Sequence, residues 1–172
     1  DRGADVKQLQ SKLGEGVRPA MAVFLGGATR AFDLTVSDTE KLCSALKRAS
    51  PRAGGYMITT SRRTSAHVER FLKSSLAQHP ACRLLVIANE DNPSYTAGGM
   101  MGLADLLIVT EDSLAMISEA VGTGKRVIVL SLGEGELPEK HYRFHQILVQ
   151  RGLVTLSGLA DLEKNIIELL KK

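Results

Sequence analysis

Six short apolar runs govern what this chain can fold into: "MAVFLGG" (21–27), "GYMITTS" (55–61), "RLLVIAN" (83–89), "ADLLIVT" (104–110), "RVIVLSL" (126–132) and "LVTL" (153–156). Their hydrophobic character is nearly continuous rather than alternating. That marks strands covered on both faces, as in a parallel sheet. Parallel neighbours need crossover connections, and the stretches between the runs carry helical spacing. "SDTEKLCSALKRAS" places Leu42, Ala45, Leu46 and Ala49 on one face, with Ser37 and Glu40 at capping-box spacing. "SAHVERFLKSSLAQ" does the same with Val68, Phe71, Leu72 and Leu76. "SLAMISEAVGTG", which ends on glycines, "PEKHYRFHQILVQRG" and "LADLEKNIIELLKK" complete the set. Between the third and fourth runs, "EDNPSYTAGGMMGL" supports only a short, glycine-weakened helix.

This alternation, without an internal repeat, predicts a Rossmann-like α/β domain over residues 19–172, doubly wound around a six-stranded parallel sheet. Residues 1–18 read as a linker with a weak helical pattern (Val6, Leu9, Leu13) that ends at Pro19. A charged, linker-like start is expected where a further amino-terminal domain precedes.

At 172 residues the chain can bury a core without metal or disulfide staples. Aromatic residues are 4% of it and tryptophan is absent, which argues against a stacking platform and hence against a nucleic-acid partner. A net charge of +3 suits a small phosphorylated ligand as readily as a polyanion. Cys43 and Cys82 fall inside expected elements, without metal-ligand spacing, and read as core thiols of a reducing compartment. No apolar run approaches the ~18 residues of a membrane span, and "DRGADVKQLQ" is no signal peptide. The expectation is a soluble intracellular protein.

In a sheet of this type, ligands bind outside the carboxyl ends of the strands, near the reversal of strand order. Polar residues gather at those ends: "GGATR", with Gly26, Gly27 and Thr29, then "TSRRT", "NEDNPSY", "TEDS" and "GEGE". Gly26 and Gly27 suit an ordinary tight turn first, and otherwise a turn whose amides receive an anion. They do not form a dinucleotide fingerprint, since G-x-G-x-x-G is absent. Ser61, Arg62, Arg63 and Thr64 stand near an expected helix start. They read either as a solvated basic turn or as a phosphate site. Asp112 and Ser113 suit a helix cap, and Met116 suits packing. Glu119, two turns beyond Asp112, is either a surface glutamate or a carboxylate for ribose hydroxyls. His141 and His145 lie four apart without a third ligand, so no metal site is expected. No Ser/His/Asp or Cys/His order marks a nucleophile, so the catalytic residues are not legible, and no cofactor motif is present.

The segments "GGATR", "ITTSRRT", "DNPSY", "ADLLIVTEDSLAMISEAVGTGKRVIVLSL" and "RFHQILVQRGLV" together resemble the carboxyl-terminal half of the mitochondrial fission ELM family. That family is similar to the carboxyl-terminal domain of GT-B glycosyltransferases, which binds the nucleoside diphosphate part of a sugar donor. The resemblance implies a sheet ordered 3-2-1-4-5-6. It also implies Glu119 on the donor's ribose, and Asp112 and Ser113 near the diphosphate with the Gly26–Gly27 turn. Asn92 would lie in the loop beside the base, and the helix of His145 would face the sugar. Gly98–Gly99 departs from the family's usual text and is expected to loosen its helix.

Two readings follow. One is a nucleotide-sugar-binding domain, half of a glycosyltransferase-like protein whose other half is missing here. The other is a scaffold at the mitochondrial outer surface that recruits a dynamin-related protein in fission. A Rossmann-type oxidoreductase is disfavoured for want of the fingerprint.

Overall fold

The computed structural model describes residues 1–29, 32–132 and 134–171. Arg30 of "GGATR" and Gly133 of "GEGE" lie outside them. In chain order the elements are α1 (Arg2–Leu13), β1 (Met21–Phe24), β2 (Phe32–Asp33), α2 (Val36–Ala49), β3 (Tyr56–Thr59), α3 (Ala66–Leu76), β4 (Cys82–Val86) and α4 (Thr96–Leu103). They continue with β5 (Leu106–Thr110), α5 (Leu114–Gly122), β6 (Arg126–Ser131), β7 (Glu134–Gly135), α6 (Glu139–Gln150), β8 (Thr155–Gly158) and α7 (Leu162–Lys171).

Each of the six apolar runs overlaps a strand of one parallel sheet, ordered β4-β3-β1-β5-β6-β8; β4 begins one residue before its run and β8 extends two residues past its own. Counted among these six alone, that order is 3-2-1-4-5-6. The strands alternate their residues between two buried faces. Met21, Val23, Ile58, Ile108 and Ile128 meet α2, α3 and α7, whereas Ala22, Phe24, Leu107, Val109 and Val129 meet the other helical layer. Both faces of the central strands β1, β3 and β5 are dry, which is why their runs lack polar alternation. Each such Leu or Ile contributes about 1.5–3 kcal/mol by leaving water.

α1 occupies the segment expected as a linker with helical spacing. It packs on α4, with Leu9 fully buried. The glycines of α4 are the reason it can. A Cβ at Gly99 would stand 2.8 Å from the Leu9 Cβ and 3.0 Å from the Asp5 carbonyl oxygen, and one at Gly102 would stand 2.2 Å from a Val6 methyl. Glycine costs a helix about 1 kcal/mol relative to alanine, and here it admits a second helix at close range. Gly98–Gly99 thus forms a docking face rather than a loose end. Lys125, in the turn before β6, finishes α4. Its Nζ donates to the carbonyls of Gly102 (2.8 Å) and Ala104 (2.6 Å), where a cation favours the helix dipole.

The α2 cap differs from expectation: Thr35, not Ser37, accepts from the Asp38 amide at 3.0 Å. Beyond the main sheet, β2 and β7 pair antiparallel over two residues, Phe32 with Gly135 and Asp33 with Glu134. Among the described residues no helix is long and apolar enough to cross a membrane.

Candidate functional site

Strand order reverses at β1, which lies between β3 and β5. The turns after these three strands meet there, and a mesh of short bonds joins them. Thr110, the last residue of β5, accepts from the Gly26 amide at 2.8 Å. Thr64 donates to the Gly26 carbonyl at 2.6 Å. The Gly27 amide donates to Asp112 Oδ2 at 3.2 Å, and the Ala28 amide to the Arg63 carbonyl at 3.1 Å.

These bonds change the meaning of the glycine pair. Neither glycine has a positive φ. A Cβ on Gly27 would lie 2.2 Å from the Arg63 carbonyl carbon and oxygen, and one on Gly26 would lie 2.0 Å from Asp112 Oδ2. Glycine is needed for the contact between turns, not for their curvature. Their amides, expected to be open to an anion, are already bonded. Thr29 is exposed, and its amide donates to the Phe32 carbonyl at 2.8 Å.

The two arginines have separate environments. Arg63 is the clasp: its Nη1 donates to the carbonyls of Gly27 (3.2 Å) and Ala28 (3.3 Å), and its Nη2 to Asp112 Oδ2 (3.0 Å). The Asp112 side chain has no exposure and that of Arg63 is 42% exposed. Arg62 is exposed, and its guanidinium has no partner among the described residues. Ser61 accepts from the Arg63 amide at 3.2 Å and shapes this turn. α3 itself begins later, capped by Ser65 on the Val68 amide at 3.3 Å.

α5 supplies what the glycine turn does not. Asp112 faces away from its first turn, and Ser113 stands at the N-cap position without a side-chain cap bond. The amides of Leu114, Ala115 and Met116 have no partner among the described residues. This bare helix start, the positive end of the helix dipole, borders a small cavity of about 50 Å3 lined by Gly26, Thr60, Ser61, Ser113 and Met116. Asp112 Oδ1 is also buried, without a partner among the described residues. Met116 is half-buried, and Glu119, one turn further along α5, is exposed.

Glu111 and Asp112 are consecutive but serve different spaces. The Glu111 side chain bonds the Ser131 hydroxyl and lines a cavity of about 250 Å3 with Tyr142, His145 and Ser157. Burial pushes its carboxyl above the ordinary range, the Ser131 bond offsets part of that, and the Asp112 charge adds to it. His145 is 4% exposed, and its imidazole bonds the Glu111 backbone. Burial holds it below the usual histidine range, against the pull of that bond. His145 therefore lines this second cavity and is not among the residues around Gly26, Arg63 and Asp112. Asn92 is exposed in the turn after β4 and makes none of the bonds described. Among the described residues no three His, Cys, Asp or Glu side chains gather as metal ligands.

Several contributors escape a reading of motifs. Thr110 ends an apolar strand, and Asn89 ties the turns by donating to the Arg62 carbonyl (3.3 Å) and to Glu69 Oε2 (2.8 Å). Glu111, Ser131 and Tyr142 shape the second cavity. The one available signal for Thr110 and Ser131 was a hydroxyl at the last position of a buried strand, facing the ligand edge.

Proteins of known structure share this architecture. The fold matches a Listeria monocytogenes protein assigned as a UDP-N-acetylglucosamine 2-epimerase, with TM-score 0.66, 16% identity and coverage of 95% of this chain and 39% of that one. It matches the Neisseria meningitidis UDP-GlcNAc 2-epimerase bound to UDP-GlcNAc at TM-score 0.61, with 14% identity over 96% of this chain and 40% of that one. It also matches the glycotransferase of kitacinnamycin at TM-score 0.61, with 12% identity over 92% and 37%. At these identities the likeness establishes the fold, a Rossmann-like domain of the GT-B type. In sequence the chain is 31% identical over 127 residues to the mitochondrial fission protein ELM1 of Arabidopsis thaliana, covering 73% of this chain. It spans 28% of that relative's length. The model of the family described as Mitochondrial fission ELM1 matches residues 3–166, so the chain belongs to the mitochondrial fission ELM1 family.

Proposed function

We propose that the crevice at the β1–β5 switch point binds the diphosphate of a nucleoside diphosphate sugar, and that this chain is the nucleotide-sugar-binding domain of a glycosyltransferase-like protein. The observation that carries the reading is the uncapped start of α5, with three amides unpartnered among the described residues, opening onto the same space as Ser61 of the "SRRT" turn. Helix starts of this kind attract phosphate through amides and dipole together. Arg62, exposed and without a partner among the described residues, is the cation for the ligand, while Arg63 holds the turns. Glu119, on α5, is the carboxylate for the ribose hydroxyls. Thr29 and Asn92 stand on the flanking turns, and Asn92 is assigned to the base. In this reading the acceptor side comes from a preceding domain, with residues 1–18 leading from it, and the chain alone turns over no donor.

Calorimetry with UDP, GDP and their hexose conjugates tests this. Binding is expected in the wild type, and at least tenfold weaker in Arg62→Ala and in Glu119→Ala, the loss of a charge-assisted bond in each case. Silence across the whole panel would overturn it.

A second reading, a scaffold that recruits a dynamin-related protein at mitochondria, is favoured by one separate observation. Tyr142, Ile147, Val149, Leu153 and Leu156 are 37–48% exposed on α6, the turn after it and the edge strand β8. Capture of a purified dynamin-related protein, lost in Ile147→Glu and kept in Arg62→Ala, would favour the scaffold.

A further inference from the structure

The sheet ends in two edge strands, β4 and β8, whose free edges differ in kind. An unpaired edge invites another strand, and folded chains blunt it with charge, bulges or cover. β4 follows that rule. It carries Arg83, its pairing with β3 shifts register between Tyr56 and Met57, and Lys12, Lys73, Glu90 and Asp91 line the cavity beside it. β8, "TLSG" over Thr155–Gly158, has no charged residue, no proline and no register shift against β6. Leu156 within it is 40% exposed, and Leu153 just before it is 41% exposed. Of the large hydrophobic residues exposed among the described residues, all but Val36 lie on α6, the turn after it and β8.

The sequence along this edge is complementary to itself. Outward from Leu156 in "RGLVTLSGLAD" (151–161), the two sides match in order: Thr155 with Ser157, Val154 with Gly158, Leu153 with Leu159, Gly152 with Ala160 and Arg151 with Asp161. Two identical strands paired antiparallel about Leu156 would therefore set hydroxyl beside hydroxyl, leucine beside leucine, and opposite charges at both ends. A slip of one residue sets Arg151 against Ala160 or the buried Leu162, and the match is lost. Arg151 and Asp161 are exposed in the turns at opposite ends of β8, and their side chains have no partner among the described residues. β8 holds them apart within one copy.

We propose that the free edge of β8 is a self-association surface whose occupant is a second copy of this chain, paired antiparallel about a two-fold axis at Leu156. The two sheets then join into one across the axis. That pairing satisfies the backbone groups of the edge and covers Leu153 and Leu156 in the same step. Each Arg151 meets the Asp161 of the other copy, and the symmetry makes the contact twice. The proposal rests on neither functional reading above, although it claims part of the surface that the scaffold reading uses.

Sedimentation equilibrium on the whole chain tests it. A monomer–dimer equilibrium with a Kd of about 10 µM is expected, the weak end for a short ladder with few anchors. Arg151→Asp brings like charges together at both ends and is expected to weaken the dimer at least about tenfold. Adding Asp161→Arg is expected to restore it to within about threefold, because the reversed charges complement each other again. The same reversal on the other edge, Arg83→Asp, is expected to change nothing. Leu156→Cys gives a second readout. Residues directly opposite in an antiparallel pair lie about 4.5–5.5 Å apart at Cα, within disulfide range, so oxidation is expected to join two copies through this cysteine. A chain still monomeric at about 1 mM, about a hundred times that Kd, overturns the proposal. So does a dimer that Arg151→Asp weakens without rescue, one that Arg83→Asp weakens as much, or one that Leu156→Cys fails to cross-link. Capture of a dynamin-related protein by a monomeric wild-type chain, lost in Leu156→Lys, would give the surface to that partner instead.

Discussion

The two sides of the β5–α5 turn make a useful contrast. On the Asp112 side, three turns are cross-linked by Gly26, Gly27, Arg63, Thr64 and Thr110, and about 50 Å3 of cavity remains. On the Glu111 side, about 250 Å3 is open, and the buried His145 is among its lining residues. The crowded side is built from residues that catch the eye in a sequence, glycine pairs and arginines. The roomy side is built from ordinary ones. Conspicuous residues here mark where the backbone is tied together, and the larger cavity lies beside them.

The sharpest way to break the contrast is Gly27→Ala. The new Cβ would meet the rigid Arg63 carbonyl at 2.2 Å, so the cost is expected to be about 3 kcal/mol. That is about 6–12 °C in Tm for a chain of this size, measured by calorimetry. A drop under about 1 °C would show that the turns separate freely. Next come the neighbouring arginines. Arg63→Ala leaves the buried Asp112 carboxylate without its cation. It is expected to cost about 2 kcal/mol, less than a fully buried pair because the Arg63 side chain is 42% exposed. Arg62→Ala is expected to stay within about 0.5 kcal/mol in the same denaturant titration. Equal effects would erase the division between clasp and ligand residue.

The smallest expected effect concerns pH. His145 is depressed in the folded chain, chiefly by burial. Above its unfolded value near 6.5 the ring is neutral in both states and costs nothing. As pH falls from there towards the folded value, the unfolded chain binds the proton first and stability declines. Glu111, raised by burial, has the opposite sign: its penalty is present at neutral pH and lifts as pH falls towards the carboxylate range. Melting temperatures between pH 7.5 and 5.5 are expected to fall less in His145→Gln than in the wild type. A parallel slope in both would mean that the imidazole is not shielded.

Much of the architecture can be read from the chain because burial on two faces leaves a direct trace, unbroken apolar runs at strand length. The six runs and their sheet order follow from it and from the family likeness. The site is legible only to the level of which turns meet. Gly26 and Gly27 mark a close approach, yet a glycine pair does not say whether an anion or another turn comes near; here it is Arg63 and Asp112. Arg62 and Arg63 are indistinguishable as text, since only the three-dimensional path decides which one reaches Asp112. Gly98, Gly99 and Gly102 read as helix weakness because their compensation, the Val6–Leu9 face, lies about ninety residues earlier. His145 carries no local signal separating a cavity wall from an ordinary core histidine.

The short β2–β7 ladder has a mechanical consequence. β2 follows β1 and β7 follows β6, and β5 lies between those strands in the sheet. The ladder therefore fastens the loops on either side of the β5–α5 turn to one another, and Phe32, Leu34, Leu132 and Leu137 anchor both in the same core. Loops separated by about a hundred residues of chain thus form a single rim. Any movement that displaced one of these loops would have to carry the other with it or break the two rungs.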